Sequence, residues 1–218
     1  MSQFIELSHI VEAGMITYTG LPGPVISDHM SREDSESHYS GGTTFQIGKI
    51  EMVANTGTYI DAPFHRYEEG LDLSGLKMAS IANLDGIVFR ADQGMRSIDK
   101  DVFDNNNIRD KAVLIHTGWD RLWRTDAYFE NHPFLTRDAA EYLKSSGAAL
   151  VGIDSLNIDD TADGSRPAHS ILLKADIPIV EHMCHLDMLP EEGFKFFAVP
   201  APVKGMGSFP VRAFAIVE

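Results

Sequence analysis

The side chains best placed to do chemistry gather around "NTGTYIDAPFH", Asn55 to His65. Asp61 and His65 stand close together there, with Gly57 and Pro63 shaping an irregular backbone. A carboxylate and an imidazole so placed can ligate a cation or move a proton. Two further candidates lie far along the chain. Glu181 ends the apolar run "IPIVE", and His169 sits early in a helix-like segment after the loop "DDTADGSRP". A carboxylate at the end of a buried strand needs a partner, because burying it unpaired is costly. A metal ion or a cationic side chain would serve. On spacing alone a strand-end glutamate reads first as an ion-pair or rim residue, and a helix-start histidine as a cap. The residues by themselves therefore leave a metal site open without requiring one.

Other candidates carry less chemistry. His182, Cys184 and His185 follow Glu181 in "EHMCH". On a strand His182 points away from Glu181, and nothing marks Cys184 as an activated thiol. "GSRPAHS" is not a nucleophile elbow, which would read Gly-x-Ser-x-Gly. Asp154, Asn157 and Asp159 in "GIDSLNID" read as structural hydrogen-bonders. Trp119, Trp123, Phe64 and Tyr18 read either as core or as the wall of an aromatic pocket.

The elements that must carry these residues alternate between strands and helices. Short β-branched runs at 86–92, 112–119, 149–155, 177–183 and 211–218 read as buried strands. A helix is expected from the N-cap Thr136 to Gly147, and a shorter one opens at Pro167 with Ile171 and Leu172 facing inward. Residues 20–42, rich in Gly, Pro, Ser and acids, read as a long surface loop or lid. A hairpin turning near Gly48 is expected after it. The pattern argues an α/β fold, one compact domain over residues 1–218 around a mixed β-sheet.

Composition narrows the partners. The chain has 218 residues, 44% of them hydrophobic, which is enough for one sizeable core. Its net charge of −14 makes nucleic acid a poor partner. No run of about 18 apolar residues implies a membrane span, and no signal peptide is evident at the start. A single cysteine rules out a disulfide within the chain and suits a reducing cytoplasm. A small-molecule substrate, neutral or locally guided, is compatible with that net charge.

The chain resembles the cyclase-like metal-dependent hydrolases, the family that includes bacterial kynurenine formamidase and isatin hydrolase. Their signature reads His-x-Gly-Thr-His-x-Asp-x-Pro-x-His; the chain has it from Asn55 to His65, with Asn55 and Tyr59 in place of two histidines. "ELSHIVEAGMITYTGLPGP", "VLIHTGW", "GIDSLNID", "AHSILLKADIPIVE" and "GFKFFAVPAPVKGMGSFPVRAFA" extend the resemblance over nearly the whole chain in family order. It implies a kynurenine formamidase-like fold (a swivelling β/β/α arrangement) and a homodimer or homotetramer. It implies hydrolysis of a small amide or lactone by metal-activated water. Asp61, His169 and Glu181 would be metal ligands and His65 the proton-transfer residue. Tyr59 would become a hydrogen-bond donor to substrate, and Asn55, Phe64 and Tyr18 would contact it. Asn55 and Tyr59 are poor zinc donors, so the expectation is one divalent metal, zinc or manganese, or none. A metal-free lyase, cyclase or non-catalytic binding protein is the alternative.

Overall fold

The runs Ala112–Ile115 and Leu150–Ile153 are buried along their whole length, as strands in the middle of a covered parallel sheet must be. The computed structural model describes residues 2–92, 94–103 and 107–217. Among these residues the strands are β1 (Gln3–Glu6), β2 (Val25–Met30), β3 (Ile47–Glu51), β4 (Tyr59–Asp61), β5 (Leu84–Arg90), β6 (Ser97–Ile98), β7 (Ala112–His116), β8 (Phe134–Leu135), β9 (Leu150–Ile153), β10 (Ile179–Glu181), β11 (Glu192–Phe197), β12 (Ser208–Pro210) and β13 (Phe214–Val217). The α-helices are α1 (Arg32–Ser35), α2 (Arg137–Ser146) and α3 (Pro167–Lys174). Nine strands make one sheet in the order β1-β13-β11-β5-β7-β9-β10-β4-β12. Its centre, β5-β7-β9-β10, is parallel; its flanks are antiparallel.

Successive strand residues face opposite sides, and the core divides accordingly. Ile87, Phe89, Val113, Ile115, Val151 and Ile179 pack against Ala139 and Leu143 of α2 and Leu172 of α3. Their neighbours Val88, Leu114, Leu150 and Val180 join Ile60, Phe196 and Ala215 on the other side. That second cluster draws on strands from both ends of the sheet, so the sheet curls on itself to close it. The result is the single α/β domain around a mixed sheet that the alternating pattern led us to expect.

Helix limits follow local chemistry. The Thr136 side chain accepts from the N–H of Ala139, and Gly147 closes α2 in the left-handed conformation at φ 81°. Pro167 takes the first turn of α3, and Ile171 and Leu172 are buried.

Three expectations about elements need correction. Residues 20–42 are not a plain loop: they contain β2 and α1. Gly48 is not a turn but lies inside β3, which pairs antiparallel with β2 (Ile26↔Ile50, Asp28↔Gly48). No Asn-Gly or Asp-Gly pair stands there to force a tight reversal, so the chain runs straight and residues 31–46 make the connection. The strand expected over 112–119 stops at His116, because Gly118 turns left-handed at φ 68°. Glu218, expected to end the last strand, lies outside the described residues. No helix among the described residues is long and apolar enough to cross a membrane.

Candidate active site

Sheet register puts the site together. β4 lies between β10 and β12, with Asp61 opposite Ser208 and Tyr59 opposite both Glu181 and Pro210. Directly paired residues share a face of the sheet, as do residues two apart on one strand. Tyr59, Asp61, Glu181 and Ser208 therefore project to one side. After Asp61 the backbone enters a short 3-10 turn at Pro63–His65, which brings His65 back over Ser208. Helix α3 supplies His169 from the first turn after Pro167.

The Ser208 hydroxyl donates to Asp61 Oδ1 in a short hydrogen bond. His65 Nδ1 lies 2.9 Å from the Ser208 hydroxyl oxygen. A hydroxyl has one proton to give. With that proton directed to Asp61, Nδ1 of His65 is the donor and Nε2 is left with a free lone pair. The side chains form a relay, carboxylate to hydroxyl to imidazole. Gly207 makes the approach possible: a Cβ there would stand 2.4 Å from the backbone nitrogen of His65.

His169 is fixed from behind. Its Nδ1 lies 2.7 Å from Asp159 Oδ2, and the same carboxylate accepts from the backbone N–H groups of Ala168 at 2.6 Å and His169 at 2.9 Å. Asp159 thus satisfies the start of α3 and sets the imidazole tautomer. Nε2 of His169 faces forward, 3.5 Å from Asp61 Oδ2 and 3.7 Å from Glu181 Oε1. Burial works against the imidazolium, but the charge of Glu181 and the contacts with Asp159 and Asp61 outweigh it and raise the pKa to about 10. Asp61 shows the converse balance. Burial opposes its charge, yet His169, His65 and Ser208 hold its carboxyl below the ordinary value.

Glu181 is already well supplied with donors. Its Oε2 accepts from the Tyr59 hydroxyl at 2.5 Å and from Asn157 Nδ2 at 3.4 Å, and its Oε1 accepts from the Ile158 N–H at 2.6 Å. Burial pushes the Glu181 carboxyl up to about 7. Burial, and then the charge of Glu181, push the Tyr59 phenol well above its usual value. Tyr59 is therefore a neutral donor. It gives its proton to Glu181 and not, as the sequence led us to expect, to a substrate.

These facts test the fit of a metal. Asp61 Oδ2 is buried with no hydrogen bond, its nearest cationic group being His169 Nε2 at 3.5 Å, an unusual condition for a carboxylate oxygen. Ligand-capable atoms of Asp61, His65 and His169 lie within 4.8 Å of one another. The donor set fits one divalent cation beside Asp61 and His169, provided the cation displaces the proton on His169 Nε2. Glu181, expected as the third ligand, stands outside that group: its Oε1 lies 3.7 Å from His169 Nε2 and accepts from the Ile158 N–H, while His65 takes the third place. A second ion at Asn55 and Tyr59 does not fit, because a neutral phenol turned toward Glu181 offers it no anionic oxygen.

A cavity of about 490 Å³ opens over the site, with Tyr18, Asn55, Arg66, Asn157 and Arg166 joining Tyr59, His65, His169 and Glu181 in its wall; the buried Asp61 and Ser208 are not among its lining residues. Phe64 is not among its lining residues: a 3-10 turn rotates successive side chains by about 120°, so Phe64 does not share the direction of His65. Neither tryptophan lines it. Trp119 Nε1 donates to Tyr128 O at 2.9 Å, and Trp123 stacks on His9. His182 leaves β10 in a left-handed conformation at φ 53° and is buried with Nδ1 2.9 Å from the Tyr128 hydroxyl. Sequence reasoning did not single out Ser208, Arg66 or Arg166. "GMGSFP" carried a signal only in its glycine beside a serine.

A profile of the family described as Cyclase matches residues 5–160. The chain belongs to the cyclase family. Within it, this cyclase-family chain is 31% identical over 169 residues to the kynurenine formamidase of Geobacillus thermodenitrificans, covering 77% of this chain and 78% of that one. It is 27% identical over 213 residues to the kynurenine formamidase of Bacillus cereus strain ZK / E33L, covering 97% and 96%. Two solved structures share the cyclase-family fold. An isatin hydrolase bound to the product analogue thioisatinate matches with a TM-score of 0.83 and 21% identity over 99% of this chain and 92% of that one. A protein described as a potential metal-dependent hydrolase with cyclase activity matches with a TM-score of 0.82 and 24% identity over 100% and 99%.

Proposed function

We propose that this chain hydrolyses the C–N bond of a small amide, of the aryl-formamide or cyclic-amide kind, with His65 as the proton-transfer residue. The observation that carries the reading is the Asp61–Ser208–His65 relay, which presents His65 to the cavity that His169 also lines. Nε2 of His65 takes the proton of a water as that water attacks the carbonyl carbon. The imidazolium that forms is stabilised through Ser208 by Asp61. It then returns the proton to the leaving nitrogen, so that the amide becomes an acid and an amine. Asp61 and His169 would hold a divalent ion, zinc or manganese, which when bound supplies Lewis-acid polarisation and acidifies water. The kynurenine formamidase relatives support the amide as substrate class. The same reading includes a homodimer or homotetramer in the cytoplasm, with light scattering as the check on assembly.

The test is an assay of an N-formyl aromatic amine and of a cyclic amide, with and without added manganese or zinc, alongside metal content by mass spectrometry. Turnover should rise with metal. His65→Ala should lower kcat by roughly 10²–10⁴-fold with little change in KM. Absence of turnover of both substrates at every metal loading would overturn the reading.

One observation favours a second reading. The Tyr59 hydroxyl already occupies a Glu181 oxygen, which suits a family member working without metal, as a lyase, a cyclase or a binding protein. Trace metal in the purified protein, with function unaffected by chelators, would select it.

A further inference from the structure

The cavity wall holds two guanidinium groups, Arg66 and Arg166, that the chemistry above does not use. Each is anchored through uncharged oxygens. Arg166 Nη1 donates to Asn157 Oδ1 at 3.0 Å and Nη2 to the Thr161 carbonyl at 3.4 Å. Arg66 Nη2 donates to the Ser165 carbonyl at 3.3 Å. Among the described residues neither has a carboxylate within ion-pairing distance, although the chain carries 32 acidic residues. A guanidinium has five N–H donors, so most of theirs have no partner within the protein among the described residues.

The backbone is bent to hold one of them there. Arg166 stands just before α3 in the left-handed region, at φ 46° and ψ 62°. A side chain with a Cβ adopts that conformation only at a cost, and such strain collects at functional sites. Arg166 does no capping in return, since Asp159 satisfies the first N–H groups of α3. Asn157 then ties Arg166 to the centre of the site, because its Oδ1 accepts from Arg166 while its Nδ2 lies 3.4 Å from Glu181 Oε2.

We propose that Arg66 and Arg166 read a carboxylate on the substrate, so that the amide taken is an N-acyl amino-carboxylate and not a neutral amide. This rests on the hydrolase reading above. The planar, forked donors of arginine match the two oxygens of a carboxylate. They also give an anion a local attraction on a molecule whose net charge of −14 repels it at a distance.

The test compares two ligands of the same shape, 2-aminobenzoate and 2-aminobenzamide, by calorimetry on the intact protein as purified. Wild type should bind the benzoate roughly tenfold more tightly. Arg66→Met, Arg166→Met and the double variant should progressively erase that preference, with Arg166→Lys keeping part of it and thermal melts checking the fold. Equal affinity in wild type, or a preference that survives the double variant, overturns the proposal. In the kinetic arm, Arg166→Met should raise KM for 2-formamidobenzoate more than for formanilide. If neither formamide is turned over while the arginine-dependent preference persists, the hydrolase reading fails and the carboxylate reader stands. If both are turned over with equal kcat/KM in wild type, the carboxylate reader fails and the hydrolase stands.

Discussion

Ser208 stands between two groups whose roles depend on it. Its proton fixes the Nδ1–H tautomer of His65, and its oxygen joins that imidazole to Asp61. Ser208→Ala removes both connections and leaves a buried carboxylate oxygen without its donor, at about 1–3 kcal/mol in stability. The larger expected effect is on turnover: kcat should fall by roughly 10²-fold, with KM little moved. Ser208→Thr, which keeps the hydroxyl, should recover much of it. A structural role alone would give a lower melting temperature with kcat intact, and the kcat–KM split separates the two. Tyr59 supports a second prediction at this scale. With Asn55→His and Tyr59→His together, two imidazoles replace an amide and a neutral phenol, and zinc per chain should rise by about one ion. Mass spectrometry of the native protein reads this directly, and unchanged stoichiometry would refute it. Asp61 and His65 drew notice through a dense local motif, Glu181 through its place at a strand end and His169 through its place early in a helix, but only the family resemblance attached roles to them. Ser208 drew no notice, because 143 residues separate it from His65 and a single serine has no local signature. Arg66 and Arg166 were hidden for another reason: arginine in a polar loop reads as solvated surface until a cavity is seen beside it.

At the level of elements, the site depends on how closely β12 can approach the turn at Pro63–His65. Gly207 is the contact point, and its carbonyl accepts from Ala62 N at 2.7 Å. A methyl group at residue 207 would overlap the backbone of His65, and backbone cannot yield as a flexible side chain does. Gly207→Ala should therefore shift β12 outward and lower stability by about 1–3 kcal/mol. Because Ser208 moves with the strand, kcat should fall as well. A urea titration paired with the formamide assay checks both, and wild-type values for both would show that the strand has room. The same scale explains which elements could be read in advance. Helix α2 has a threonine cap, a glycine stop and ten residues between them, and strands β7 and β9 are continuous apolar runs. Strands β4 and β12 have three residues each, too short for any periodicity, and only pairing with each other and with β10 makes them strands. Strand β2 was misread because its polar surroundings resemble a loop, while β3 was read as extended but as a hairpin turning near Gly48, since its true partner β2 was hidden.

Across the whole molecule, the burial of neutral histidines ties stability to pH. His9 stacks on Trp123 with ring centroids 4.1 Å apart and planes 5° from parallel, and its Nε2 is buried without a partner. Burial, and then the charge of His185, bring its pKa down to about 4. In the unfolded chain an imidazole titrates near 6.5. Between those values the unfolded state binds a proton that the folded state refuses. The stabilising contribution is therefore complete above about pH 6.5 and drains away as the pH falls toward about 4, reaching at most about 3 kcal/mol. Asp154 complicates a reading from wild type alone. Burial raises its pKa to about 7, which by the same linkage makes stability fall as pH rises through an overlapping window. The difference between two proteins removes that term. His9→Phe retains a ring against Trp123 and cannot titrate, so its urea midpoint should fall less than that of wild type between pH 7.5 and pH 4.5. Parallel pH dependences for the two proteins would mean that His9 is protonated in the fold, and that the buried Nε2 finds a partner there after all.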